Sequence, residues 1–85
     1  MNQIIVTVVD LKAGRQYDVE VPLELELEKL LDDIIQTLIC YEPELSYSLS
    51  RTVLYSPRKG KILDPSSCLK AEGIRNGDYL ILNPM

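Results

Sequence analysis

Leu27-Glu28-Lys29-Leu30-Leu31-Asp32-Asp33-Ile34-Ile35-Gln36-Thr37-Leu38-Ile39 is the stretch on which the fold turns. Leu27, Leu30, Leu31, Ile34, Ile35, Leu38 and Ile39 fall at i, i+3, i+4, i+7, i+8, i+11 and i+12, so they form one broad apolar stripe along an α-helix. Glu26 and Glu28 lie where the positive end of the helix dipole favours acids. Pro43 drives the residue before it out of helical φ/ψ space, which predicts a helix end near Tyr41. A single helix can bury such a stripe only against another layer of structure.

The residues before the helix supply part of that layer. Ile4-Ile5-Val6-Thr7-Val8-Val9 is β-branched throughout and suits a pleated strand, but both parities are apolar, so the buried face of this strand is left open. Lys12-Ala13-Gly14-Arg15 reads as a turn. Tyr17, Val19 and Val21 then alternate with Asp18 and Glu20, a half-buried second strand hairpinned to the first. The alternation runs on through Leu23 and Leu25, but Pro22 removes a ladder donor and ends the strand.

After the helix, Glu44 to Ser50 is a polar connection with Leu45, Tyr47 and Leu49 set into it, and it is assigned to no element. Arg51 to Tyr55 reads as a third strand, Pro57-Arg58-Lys59-Gly60 as a turn, and Lys61 to Leu63 as a short fourth strand. Asp64-Pro65-Ser66-Ser67 is a turn or helix entry, with Leu69 and Ile74 as core anchors. Arg75-Asn76-Gly77-Asp78 turns the chain into a last strand, Tyr79 to Leu82. The order β-β-α-β-β-β predicts an α+β fold: a mixed sheet of about five strands with one helix packed across one face, the β-grasp arrangement.

Eighty-five residues bound this to a single domain, residues 1–85. A chain of this size buries somewhat over about 60% of its unfolded surface and is expected to be stable by roughly 4–13 kcal/mol. The 46% hydrophobic and 26% charged content is ordinary for a globular chain. A net charge of -4 argues against a general nucleic-acid binder, and no apolar run is long enough to insert in a membrane. The opening Met-Asn-Gln-Ile lacks the basic segment of a secretion signal. Cys40 and Cys68 are expected to be buried thiols, with a disulfide between them as the alternative.

The final third resembles ubiquitin in Leu63-Asp64, Leu69, Ile74, the polar turn Asn76-Gly77-Asp78, and the alternating Leu80 and Leu82. Tyr17-Asp18-Val19-Glu20-Val21-Pro22 and Gly73-Ile74-Arg75-Asn76-Gly77-Asp78-Tyr79-Leu80 further resemble the small ubiquitin-like proteins of Gram-positive type VII secretion systems, the YukD/EsaB-like family. The resemblance covers most of the chain and rests mainly on fold-determining positions; residues 45–50 have no counterpart in it. It implies a cytoplasmic accessory or regulatory component of a secretion apparatus, one that binds protein partners, with membrane components of that apparatus as candidates. The chain closes on Asn83-Pro84-Met85 where a conjugated relative would carry Gly-Gly, so it is expected to bind rather than be attached. The alternative is a protein modifier or sulfur carrier of the same fold that requires C-terminal processing.

Catalytic chemistry has little to work with. The absence of histidine removes Ser-His-Asp and Cys-His nucleophiles and most zinc sites. Asp32 and Asp33 are adjacent on the helix and do not face one another, and the four glycines assemble no phosphate-binding loop. No catalytic, cofactor or metal residue is therefore assigned, and the protein is expected not to be an enzyme. The candidate site is instead the outer face of the sheet. If Leu80 and Leu82 meet the helix, Tyr79 and Ile81 point away from it, and Leu54 joins them if Val53 and Tyr55 face inward. Arg58, Lys59 and Lys61 form a basic hairpin at its rim, opposed to an acidic zone of Glu24, Glu26, Glu28, Asp32 and Asp33. A domain of an RNA- or membrane-associated assembly would use the same three cations in salt-dependent binding.

Overall fold

The computed structural model describes residues 2–11, 14–41 and 52–84. Strands β1 (Gln3–Asp10) and β2 (Arg15–Pro22) form the first hairpin, and helix α1 (Leu27–Tyr41) follows. Strands β3 (Thr52–Ser56), β4 (Lys61–Ile62) and β5 (Tyr79–Pro84) complete one sheet in the order β2-β1-β5-β3-β4. β5 runs parallel to β1 and antiparallel to β3, so the sheet is mixed and its first and last strands meet at the centre. This is a ubiquitin-like β-grasp fold. The turn residues Lys12 and Ala13, the segment Glu44 to Ser50, and Arg51 at the head of the third strand lie outside the described residues.

The hairpin register settles the parity that the β-branched first strand leaves open. Ile4, Val6 and Val8 pair with Val21, Val19 and Tyr17, and β2 has one clean apolar face. That face fixes the inward set of both strands: Val6 and Val8 are fully buried and Val21 nearly so, whereas Ile5 is 49% exposed. The stripe of α1 covers this floor. Leu27, Leu30, Leu31, Ile34, Ile35 and Leu38 are buried and Ile39 packs against them at the margin. Leu54, Leu80 and Leu82 continue the floor across β3 and β5.

The connection from Leu63 to Asp78 closes the two ends of this sandwich. Leu69 is fully buried and Ile74 is 5% exposed, as the spacing requires of core anchors. Pro65 O accepts from Glu28 N at 3.0 Å and Ser67 O from Leu27 N at 2.8 Å, so loop carbonyls satisfy two amides at the start of α1 that have no partner within the helix. Asp64 holds the loop, its Oδ1 accepting from Ser66 N at 2.9 Å. At the other end the Asn76-Gly77-Asp78 turn prolongs the pairing of β5 with β1. Ile5 N donates to Asn76 Oδ1 at 2.8 Å, Gly77 N to Ile5 O at 2.7 Å, and Thr7 N to Asp78 O at 2.9 Å. Gly77 takes φ +88°, which a residue with a Cβ rarely adopts.

Candidate protein-interaction face

The face of the sheet away from α1 carries an apolar row one residue wide and four strands long. Ile62 of β4 pairs with Tyr55 of β3, Tyr55 with Ile81 of β5, and Ile81 with Val9 of β1. Because side chains directly opposite one another stand on the same face, these four form a continuous strip. Ile62 is 52% exposed, while Tyr55, Ile81 and Val9 are half-buried by their neighbours. Tyr79, 51% exposed, and Ile5, 49% exposed, lie beside the row toward the Asn76-Gly77-Asp78 turn. At its β2 side the strip meets acid: Thr7 Oγ1 donates to Asp18 Oδ1 at 2.7 Å, and Glu20 stands opposite Ile5.

This geometry keeps Tyr79 and Ile81 on the outer face and removes Leu54 from it. Leu54 pairs with Leu82, and the two are 3% and 0% exposed. Both therefore face α1, and the outward positions of β3 belong to Val53 and Tyr55. The sequence Thr52-Val53-Leu54-Tyr55 has apolar residues at both parities, so only pairing with β5 decides it. The outer contributions of Tyr55, Ile62 and Val9 escaped sequence reading for the same reason; β4, at two residues, has no alternation to read.

The basic hairpin is less available than its sequence suggests. Arg58 forms a two-pronged contact with Asp78, Nε to Oδ1 at 2.9 Å and Nη2 to Oδ2 at 2.8 Å, and Nη2 also donates to Gly73 O at 2.6 Å. The Arg58 guanidinium holds the Asp78 carboxyl below its ordinary value, with a smaller contribution from the Arg75 amide. Lys61 has the opposite parity to Ile62 and pairs with Glu72 at 2.9 Å. Glu72 is also lowered, first by the Asp64 amide donating to Oε1 at 2.8 Å and then by Lys61. These contacts fasten the β3–β4 turn to the 63–78 connection. Of the three cations, Lys59 alone makes no ion pair among the described residues.

Cys40 is exposed near the end of α1 and Cys68 half-buried, both as free thiols, which corrects the expectation that both are buried. Cys40 follows the apolar stripe by one residue and so falls at its margin. Among the described residues no group of three or more acids and cysteines is placed to hold a metal ion, and no helix is long and apolar enough to cross a membrane.

A family model for the WXG100 protein secretion system (Wss), protein YukD, matches residues 3–82. A search of curated proteins returns no match. Among solved structures, the EccD5 ubiquitin-like domain from Mycobacterium xenopi superposes with a TM-score of 0.80 at 19% identity, covering 100% of this chain and 97% of that one. The ubiquitin-like domain of the Mycobacterium tuberculosis type VII secretion system protein EccD1 gives a TM-score of 0.73 at 19% identity over 96% and 98% of the two chains. A ubiquitin-like domain from Arabidopsis thaliana gives 0.76 at 24% identity over 99% and 79%. At these identities the structural likenesses establish the fold.

Proposed function

The chain belongs to the YukD family of the WXG100 protein secretion system, and from that premise we propose that it is a non-enzymatic, single-domain interaction module of a type VII secretion apparatus. It docks on a protein partner, a membrane component of that apparatus, from the cytoplasmic side. The observation that carries this reading is the Ile62–Tyr55–Ile81–Val9 row, flanked by Tyr79 and Ile5. Its make-up is that of an interface core, with aromatic and aliphatic side chains at the centre and charge at the edge. Three of its four strands, β1, β5 and β3, are paired on both sides, so little ordering opposes association.

The domain acts by binding and is not transferred to other molecules. No two of its four glycines adjoin, so these 85 residues contain no Gly-Gly pair to activate. Intact mass of the protein from its native cell separates this from the modifier or sulfur-carrier reading: a single unmodified species supports binding, and adducts or a trimmed terminus support transfer. The direct test of the docking reading is co-purification of membrane components with a tagged copy. Ile81→Asp, whose fold is checked by circular dichroism, is expected to lose them. Undiminished capture by the folded variant would refute the role of this face.

A further inference from the structure

A second feature lies on the opposite side of β2. A cavity between α1 and the hairpin, about 330 Å³, has walls from Val19, Val21, Ile34 and Leu38, with Glu20, Asp33 and Thr37 also lining it. Tyr17 lines it, and the Tyr17 hydroxyl is buried without a hydrogen-bond partner among the described residues. Buried hydroxyls are rarely left so.

The cavity opens beside a sheet edge. β2 is the first strand in the order β2-β1-β5-β3-β4, and no described strand pairs with its outer side. Which backbone groups face out follows from the register. Leu23 N donates to Asn2 O at 2.7 Å, one step beyond the Gln3–Pro22 pair, and bonded pairs alternate with non-bonded ones along an antiparallel ladder. The backbone groups of Val21, Val19 and Tyr17 therefore point to β1, and those of Glu20, Asp18 and Gln16 point outward. Two independent facts agree with this phase. Ile5 and Thr7, opposite Glu20 and Asp18, turn their backbone toward the β5 side. Pro22, which has no N–H, falls at an outward position, where a strand tolerates it.

We propose that this edge and cavity receive an extended segment of a partner protein as a sixth strand. The segment adds to β2 through the outward groups of Gln16, Asp18 and Glu20 and drops alternate apolar side chains between Val19 and Ile34. Such strand addition draws affinity from main-chain hydrogen bonds and selectivity from the pockets that alternate side chains enter. Asp33 stands at the cavity mouth, and Glu20 and Asp18, opposite Ile5 and Thr7, project from the same edge strand on the other face of the sheet, so an added strand meets acid on both of its sides and the segment carries a lysine or arginine next to its apolar residues. Tyr17 supplies a hydroxyl for a polar group of the bound segment. The inference stands on the β2 side alone and holds whether or not the outer face of the sheet also binds.

The test is selection of a displayed library of random peptides on the full-length protein, followed by fluorescence anisotropy with the synthesised winner. Enriched peptides are expected to alternate apolar residues and to carry flanking cations. Glu20→Pro removes one outward donor while leaving the β1 ladder intact, and weakens binding by about tenfold. Asp33→Lys, on the exposed side of the helix where folding is not at stake, weakens it several-fold and reduces its salt dependence. Ile81→Asp leaves it unchanged. Failure to enrich any peptide, enrichment of acidic or non-alternating ones, or binding lost in Ile81→Asp but retained in Glu20→Pro and Asp33→Lys would each overturn the proposal.

Discussion

Replacing Leu54 by alanine tests the sheet parity on which the outer face depends. The Leu54 side chain is 3% exposed, pairs with Leu82 and packs beneath α1. Truncation leaves a cavity in a closed core, and buried Leu→Ala changes cost about 2–5 kcal/mol; about 3 kcal/mol is the central expectation here. Against a total of roughly 4–13 kcal/mol for a chain this size, that is a large fraction. With a urea m-value of about 1 kcal/mol/M the midpoint falls by about 3 M, and the melting temperature drops by roughly 12–24 °C. Tyr55→Thr is the matched control. It preserves strand propensity at the next residue, which is half-buried on the other face, and is expected to cost no more than about 1 kcal/mol. Both variants are measured by urea unfolding followed by circular dichroism. If Tyr55→Thr proves the more damaging of the two, β3 faces the other way and the row through Ile62, Tyr55, Ile81 and Val9 does not exist.

Three further outcomes are expected. Gly77→Ala meets no neighbour within 4 Å, so its cost is the strain of φ +88° alone, about 1–2 kcal/mol; an unchanged urea midpoint would contradict the turn geometry. Asp78 and Glu72 are held below their ordinary values of 3.8 and 4.5, so the stability they contribute is fully present above those values and is lost as pH falls through the lower folded ones. The double variant Asp78→Asn, Glu72→Gln should therefore start less stable at neutral pH and lose less than the wild type below about pH 4, whereas parallel acid limbs would show that neither pairing matters. Cys40 should react with an aromatic disulfide reagent faster than Cys68, and equal or reversed rates would place Cys40 elsewhere.

Much of this fold is legible before any coordinates, because its signals are local. The α1 stripe, the alternation Tyr17-Val19-Val21 and the turn glycines each state their own geometry within a few residues. Parity in β1 and β3 is different: Ile4 to Val9 and Thr52 to Tyr55 are apolar on both sides, and only their partners in β2 and β5 choose a face. Hence Tyr79 and Ile81 are readable from the clean strand Tyr79 to Leu82, while the faces taken by Leu54, Tyr55 and Ile62 follow only from their strand partners. The fate of Arg58 and Lys61 was equally hidden. Their acids, Asp78 and Glu72, lie 20 and 11 residues away and are brought in by the 63–78 connection. A charge cluster in sequence thus became a structural clasp.

Docking through the face opposite α1 is tested most directly by site-specific photo-crosslinking in secreting cells. A photoreactive residue at Ile62, Tyr79 or Ile81 is expected to capture a membrane component of the secretion apparatus, and one at the exposed helix position Lys29 is expected to capture none. Capture from Lys29 with silence at the three sheet positions would contradict it.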